Sequence, residues 1–130
     1  MEDRLKRKID SVLVDWKNTP GHVPLIVKGA RQIGKTEAIE HFAKGHYKSL
    51  VEIIFVLQKQ YRDIFDDGFE VDTIIKNISL RNPEFEFIPG ETLIFFDELQ
   101  DCINCATSLK SFRLDGRYDV ICSGSLMGIN

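Results

Sequence analysis

Gly29, Gly34, Lys35 and Thr36 fall in the run Gly29-Ala30-Arg31-Gln32-Ile33-Gly34-Lys35-Thr36, which fits the pattern G-x-x-x-x-G-K-[ST] at every position. Phosphate oxygens have to be met by several backbone N–H groups at close range. Gly29 and Gly34 permit the turn, and a helix opening near Lys35 would aim its free N–H groups and positive dipole end at an anion. Residues 29–36 together make the cradle. Lys35 adds a mobile positive charge for the outer phosphates, and the Thr36 hydroxyl suits Mg²⁺. The Arg31 side chain faces either phosphate or solvent. A chance glycine turn is the competing reading, and the full pattern between a strand and a helix argues against it.

A second cluster is Leu93-Ile94-Phe95-Phe96-Asp97-Glu98, an apolar strand that delivers two acids at its carboxyl end. Open α/β sheets bind ligands at that end of their strands. Asp97 is suited to holding Mg²⁺ directly or through water, and Glu98 to orienting and deprotonating an attacking water. The alternative use is helix capping, for which Gln100 and Asp101 are also suited.

The elements that must position these groups are visible in the apolar spacing. Leu5, Ile9, Val12, Leu13 and Trp16 share one helix face, closed by Asn18, Pro20 and Gly21. Val23–Lys28 reads as a strand. Ala38, Ile39, Phe42 and Ala43 form the stripe of the helix after the loop, with Gly45 as its left-handed C′ residue. Leu50–Leu57 is almost continuously apolar, which predicts a strand covered on both faces, as in a parallel sheet flanked by helices. The fold class is therefore α/β. Gln58–Asp72 reads as a polar connection with one helical turn holding Tyr61, Ile64 and Phe65. Val71, Ile74, Ile75 and Ile78 predict a helix stopped before Pro83. A third strand spans Thr92–Phe96. Cys102, Cys105, Ala106, Leu109 and Phe112 predict a further helix, and Tyr118–Cys122 the fourth strand.

The chain has 130 residues, room for one domain, and its 43% apolar and 28% charged content predicts a packed core. Seventeen basic against 20 acidic side chains leave a net charge of -3, which excludes an overall field for nucleic acid or an anionic membrane. The longest apolar run, Leu50–Leu57, is far short of a membrane span, and the amino terminus leads into no uninterrupted apolar segment, so a cytoplasmic chain is expected. Three cysteines, an odd number, read as reduced thiols. Cys102 and Cys105 have metal-pair spacing, but a structural zinc site needs four ligands, so core thiols are expected. His22, His41 and His46 show no metal spacing and read as surface residues. The Arg4–Lys8 cluster is interleaved with acids and reads as a solvated helix face.

The two motifs resemble those of AAA+ ATPases, and more narrowly a prokaryotic branch with P-loops like GARQIGKT and a second motif like DELQ, which usually continues into a further carboxy-terminal domain. The resemblance covers nearly the whole chain. It implies a three-layer P-loop NTPase sandwich, strand order 2-3-1-4, with ATP and Mg²⁺ as ligands and a homo-oligomer as one possible assembly. It also implies a polar sensor at the end of the fourth strand, between the two motif strands. Ser125 looks like that sensor, with Ser123 as the alternative and a serine-rich turn as the plain reading. The sequence reaches Asn130 before the fifth strand, helical lid and arginine finger that the resemblance implies. Arg113 and Arg117 precede the sensor strand and read as helix-end cations. The expected activity is Mg-dependent ATP hydrolysis with a protein or DNA target undefined and no membrane partner. The rivals are a nucleotide-gated interaction module without turnover and a small-molecule phosphotransferase. The paired acids disfavour the latter, since a kinase need not activate water.

Overall fold

The computed structural model describes residues 2–29 and 34–124. Helix α1 covers Glu2–Asn18, strand β1 Leu25–Lys28, α2 Lys35–His46 and β2 Ser49–Ile54; α3 follows at Val71–Arg81, β3 at Thr92–Asp97, α4 at Ile103–Asp115 and β4 at Asp119–Gly124. Short 3-10 turns at Lys59–Tyr61 and Leu99–Asp101 complete the order.

All four strands are parallel, and the sheet order is β1-β4-β3-β2. This corrects the expected order 2-3-1-4: β4, not β1, takes the inner position. Ile121 pairs with Leu25 on one side and Phe95 on the other. An inner strand must be apolar on both faces. Val120, Ile121 and Cys122 are buried, whereas Ile26 of β1 is 38% exposed and Lys28 is exposed.

Side chains alternate across a strand, so the sheet sorts its residues into two cores. Leu93, Phe95 and Ile121 face α1 and α2, where Leu13, Ile39, Phe42 and Ala43 close on them. Val51, Ile53, Ile94, Phe96 and Val120 face the other way, onto Ile74 and Ile78 of α3 and Cys105 and Phe112 of α4. The result is a three-layer α/β sandwich. β3 is buried at all six positions. β2 is not covered on both faces as expected. As an edge strand it buries Val51 and Ile53 but leaves Leu50, Glu52 and Ile54 half-buried.

The connection after β2 is less polar in effect than in composition, because Tyr61, Ile64 and Phe65 are all buried against the second core. Gly45 is not a C′ residue. It lies inside α2, which runs on to His46 and ends where Tyr47 turns extended. The left-handed C′ glycine belongs to α4: Gly116 has φ 74° and its N–H donates to Phe112 O at 3.0 Å. Cys102 precedes α4 instead of lying on its stripe, Ala106 is exposed, and Ser108 takes the buried position. The three cysteines are buried free thiols. His41 and His46 are exposed, but His22 is half-buried, with Nε2 2.7 Å from Asp119 Oδ1. No helix among the described residues is long and apolar enough to cross a membrane.

Candidate functional site

Parallel pairing brings the carboxyl ends of β1, β4 and β3 side by side, so Gly29, Gly124 and Asp97 meet although they are distant in sequence. Gly34 enters α2 at φ 74°, a conformation that strongly favours glycine, and its carbonyl accepts from Ala38 N at 3.0 Å. That left-handed entry turns Lys35 inward. Its side chain is only 2% exposed, and Nζ donates to Gly29 O at 2.8 Å and Gly124 O at 2.7 Å. The ammonium thus spans the ends of β1 and β4.

The next residue, Thr36, reaches the end of β3, where its hydroxyl donates to Asp97 Oδ2 at 3.1 Å. The other carboxylate oxygen, Oδ1, accepts from Ser123 Oγ at 2.8 Å. Ser123 is fully buried, and its oxygen also accepts the Glu98 backbone N–H at 3.0 Å. Burial pushes the Asp97 carboxyl up, while the bonds from Ser123 and Thr36 and the charge of Lys35 pull it back. Glu98 is the one non-glycine residue with positive φ among the described residues, at 59°. Such a backbone costs energy and marks a position the surroundings impose. Its carboxylate is nearly buried and accepts from the Gln100 amide.

Neither acid caps a helix through its side chain: Glu98 opens the 3-10 turn without such a bond, and Cys102 stands at the start of α4. Hard oxygen donors from Thr36 and Asp97, already within hydrogen-bond reach, form a donor set that fits Mg²⁺. Among the sequence-predicted residues, Gly29, Gly34, Lys35, Thr36, Asp97 and Glu98 gather at this end of the sheet. Ala30, Arg31, Gln32, Ile33 and Ser125 lie outside the described residues.

Two further acids stand close by. Glu52 on β2 is pushed up to about 8, chiefly by burial, then by a hydrogen bond with Glu40 of α2 and by the charges of Glu40 and Asp97. Its Oε2 is buried without a hydrogen-bond partner among the described residues. The one sequence signal for it was a charge interrupting an apolar strand.

A family model described as an AAA domain matches residues 22–129. No curated protein matches the chain. Nine chains of solved structure do, among them that of PCH-2 from C. elegans, with 12% identity and a TM-score of 0.47. That alignment covers 95% of this chain and 36% of the other, so the chain spans about a third of that protein's length.

Proposed function

The chain belongs to the AAA domain family, and from that premise we propose that residues 1–130 form the amino-terminal portion of one AAA+ core that binds ATP with Mg²⁺ and hydrolyses it. The observation that carries this reading is the set Lys35, Thr36, Asp97 and Ser123 at the strand ends: Lys35 bonds the carbonyls of Gly29 and Gly124, and Thr36 and Ser123 both bond the Asp97 carboxylate. Residues 29–36 offer backbone N–H groups to the phosphates, and Lys35 exchanges its two carbonyl partners for phosphate oxygens. Thr36 and Asp97 hold Mg²⁺, whose chemistry when bound is neutralisation of charge on the phosphoryl oxygens. Glu98 orients a water and accepts its proton as the water oxygen bonds to the γ-phosphorus and the bond from that phosphorus to the bridging oxygen breaks, with ADP as the leaving group. Ser123 fixes the carboxylate of Asp97 and the backbone of Glu98 together, and Ser125 serves as the polar sensor. Assembly with further copies and a protein or DNA target belong to the whole protein.

Calorimetric titration of the chain and of Lys35→Ala with Mg-ATP tests the reading. The variant should keep its fold and lose measurable binding, because its ammonium is the group that meets the phosphates. Equal affinities would remove the phosphate site from residues 29–36. Phosphate release measured with and without added hydroxyl acceptors separates hydrolysis from phosphotransfer and from binding without turnover.

A further inference from the structure

A cavity lies at the amino ends of β1 and β4, at the opposite end of the sheet from the phosphate loop. It measures about 430 Å³ and is lined by Trp16, Phe112 and Tyr118, with His22, Asp119 and Arg113 among its polar groups. That volume is within the range of small-molecule sites, and the combination of aromatic walls with a few convergent polar groups is typical of them.

The charges decide what it would take. Asp119 is the only carboxylate in the wall, and three donors already engage it: His22 Nε2 lies 2.7 Å from Oδ1, Tyr47 OH donates to Oδ2 at 2.5 Å, and Lys17 Nζ is 3.8 Å from Oδ2. The other His22 nitrogen, Nδ1, faces Thr19 O at 3.0 Å. Both ring nitrogens therefore face oxygen atoms of the protein. Arg113 is exposed and pairs with no acid among the described residues; the neighbouring carboxylates Asp115 and Asp72 turn onto Arg117 instead. The ends of α1 and α4 also converge here, each contributing roughly half a negative charge. Lys17 and His22 are both engaged by Asp119, which leaves the Arg113 guanidinium to meet an anionic group of a ligand. A planar guanidinium among the lining residues of a cavity that also includes aromatic side chains matches a carboxylate carried on a flat apolar body.

We propose that this cavity is a second binding site, for a small aromatic carboxylate. The aromatic body lies among Trp16, Phe112 and Tyr118, and the carboxylate meets Arg113 at the mouth. The site is independent of nucleotide binding.

Trp16 is the only tryptophan of the chain and sits in the wall, so its emission reports occupancy. The test titrates the chain with 3-phenylpropionate and, separately, with its neutral amide. The expected result is a saturable emission change with the acid, affinity for the amide weaker by at least about tenfold, and loss of that preference in Arg113→Gln. Lys35→Ala should bind the acid as the parent does. The proposal is overturned by an absence of saturable change, by equal affinities for acid and amide, by an unchanged preference in Arg113→Gln, or by loss of binding in Lys35→Ala.

Discussion

Glu98 and Asp97 are adjacent in sequence yet sit in different circumstances. Asp97 is clamped from two sides by Thr36 and Ser123, while the Glu98 carboxylate is held by the Gln100 amide on its own turn. Their proposed roles should separate accordingly. Glu98→Gln should bind Mg-ATP nearly as the parent does and turn it over about 10² to 10⁴ times more slowly, the range for losing a positioned base. Single-turnover rates set beside titration isotherms check this, and a parallel loss of binding would contradict the assignment. Glu52 gives a pH signature that needs no nucleotide. Its carboxyl is raised from 4.5 to about 8 in the folded chain, so the folded state keeps a proton that the unfolded state releases. The resulting stabilisation is complete below pH 4.5, declines as pH rises, and is gone above about pH 8. Glu52→Gln should flatten the fall in denaturation midpoint across that window, by the equivalent of at most about one proton. Lys35 and Thr36 were legible because their partners in the motif are contiguous. Ser123 was named only as an alternative to Ser125, and Glu52 not at all, because their partnerships depend on which strands lie side by side.

At the scale of elements, the sequence pattern identified all eight helices and strands described here and closed α1 and α3 where they end, but it misplaced other ends, such as those of β2 and α2. A glycine near the end of a stripe is consistent with a C′ position and with a tolerated interior residue. Spacing cannot separate the two, because the difference lies in one dihedral angle. α2 runs through Gly45 and stops where Tyr47 turns away, its hydroxyl anchored on Asp119. Of Gly45 and Gly116, the latter alone takes the left-handed backbone, at φ 74°. Alanine at these two positions should therefore act in opposite directions. A Cβ at either meets nothing within 4 Å, so sterics do not decide. Gly45→Ala should stabilise the chain by about 0.5–1 kcal/mol through helix propensity. Gly116→Ala should cost about 1 kcal/mol because its backbone is disfavoured for any residue with a Cβ. Urea denaturation of the pair measures both signs, and equal shifts would show that the helix ends have been misread.

For the molecule as a whole, the parallel sheet and its two helical layers followed from the alternation of strand and helix patterns, but strand order did not. Placing β1 inside the sheet required knowing which strand tolerates an open side, and burial of β4 on both faces settles that in favour of β4. The consequence is an edge: among the described residues β1 pairs with β4 alone, and Ile26 within it and Val23 just before it are 38% and 45% exposed. Such an edge invites a second strand. Mass from light scattering should rise with concentration, and Ile26→Lys should hold it lower; equal curves for the two chains would place any self-association elsewhere. The burial of β3 has a different consequence, one of time. Every one of its six residues is buried and a strand flanks it on each side, so its amides can open only when the whole domain opens. Peripheral segments such as α1 can fray and close many times in that interval. The two acids thus hang from the slowest-breathing part of the chain, and their spacing from Thr36 and Ser123 can survive fluctuations that open the rest of the surface.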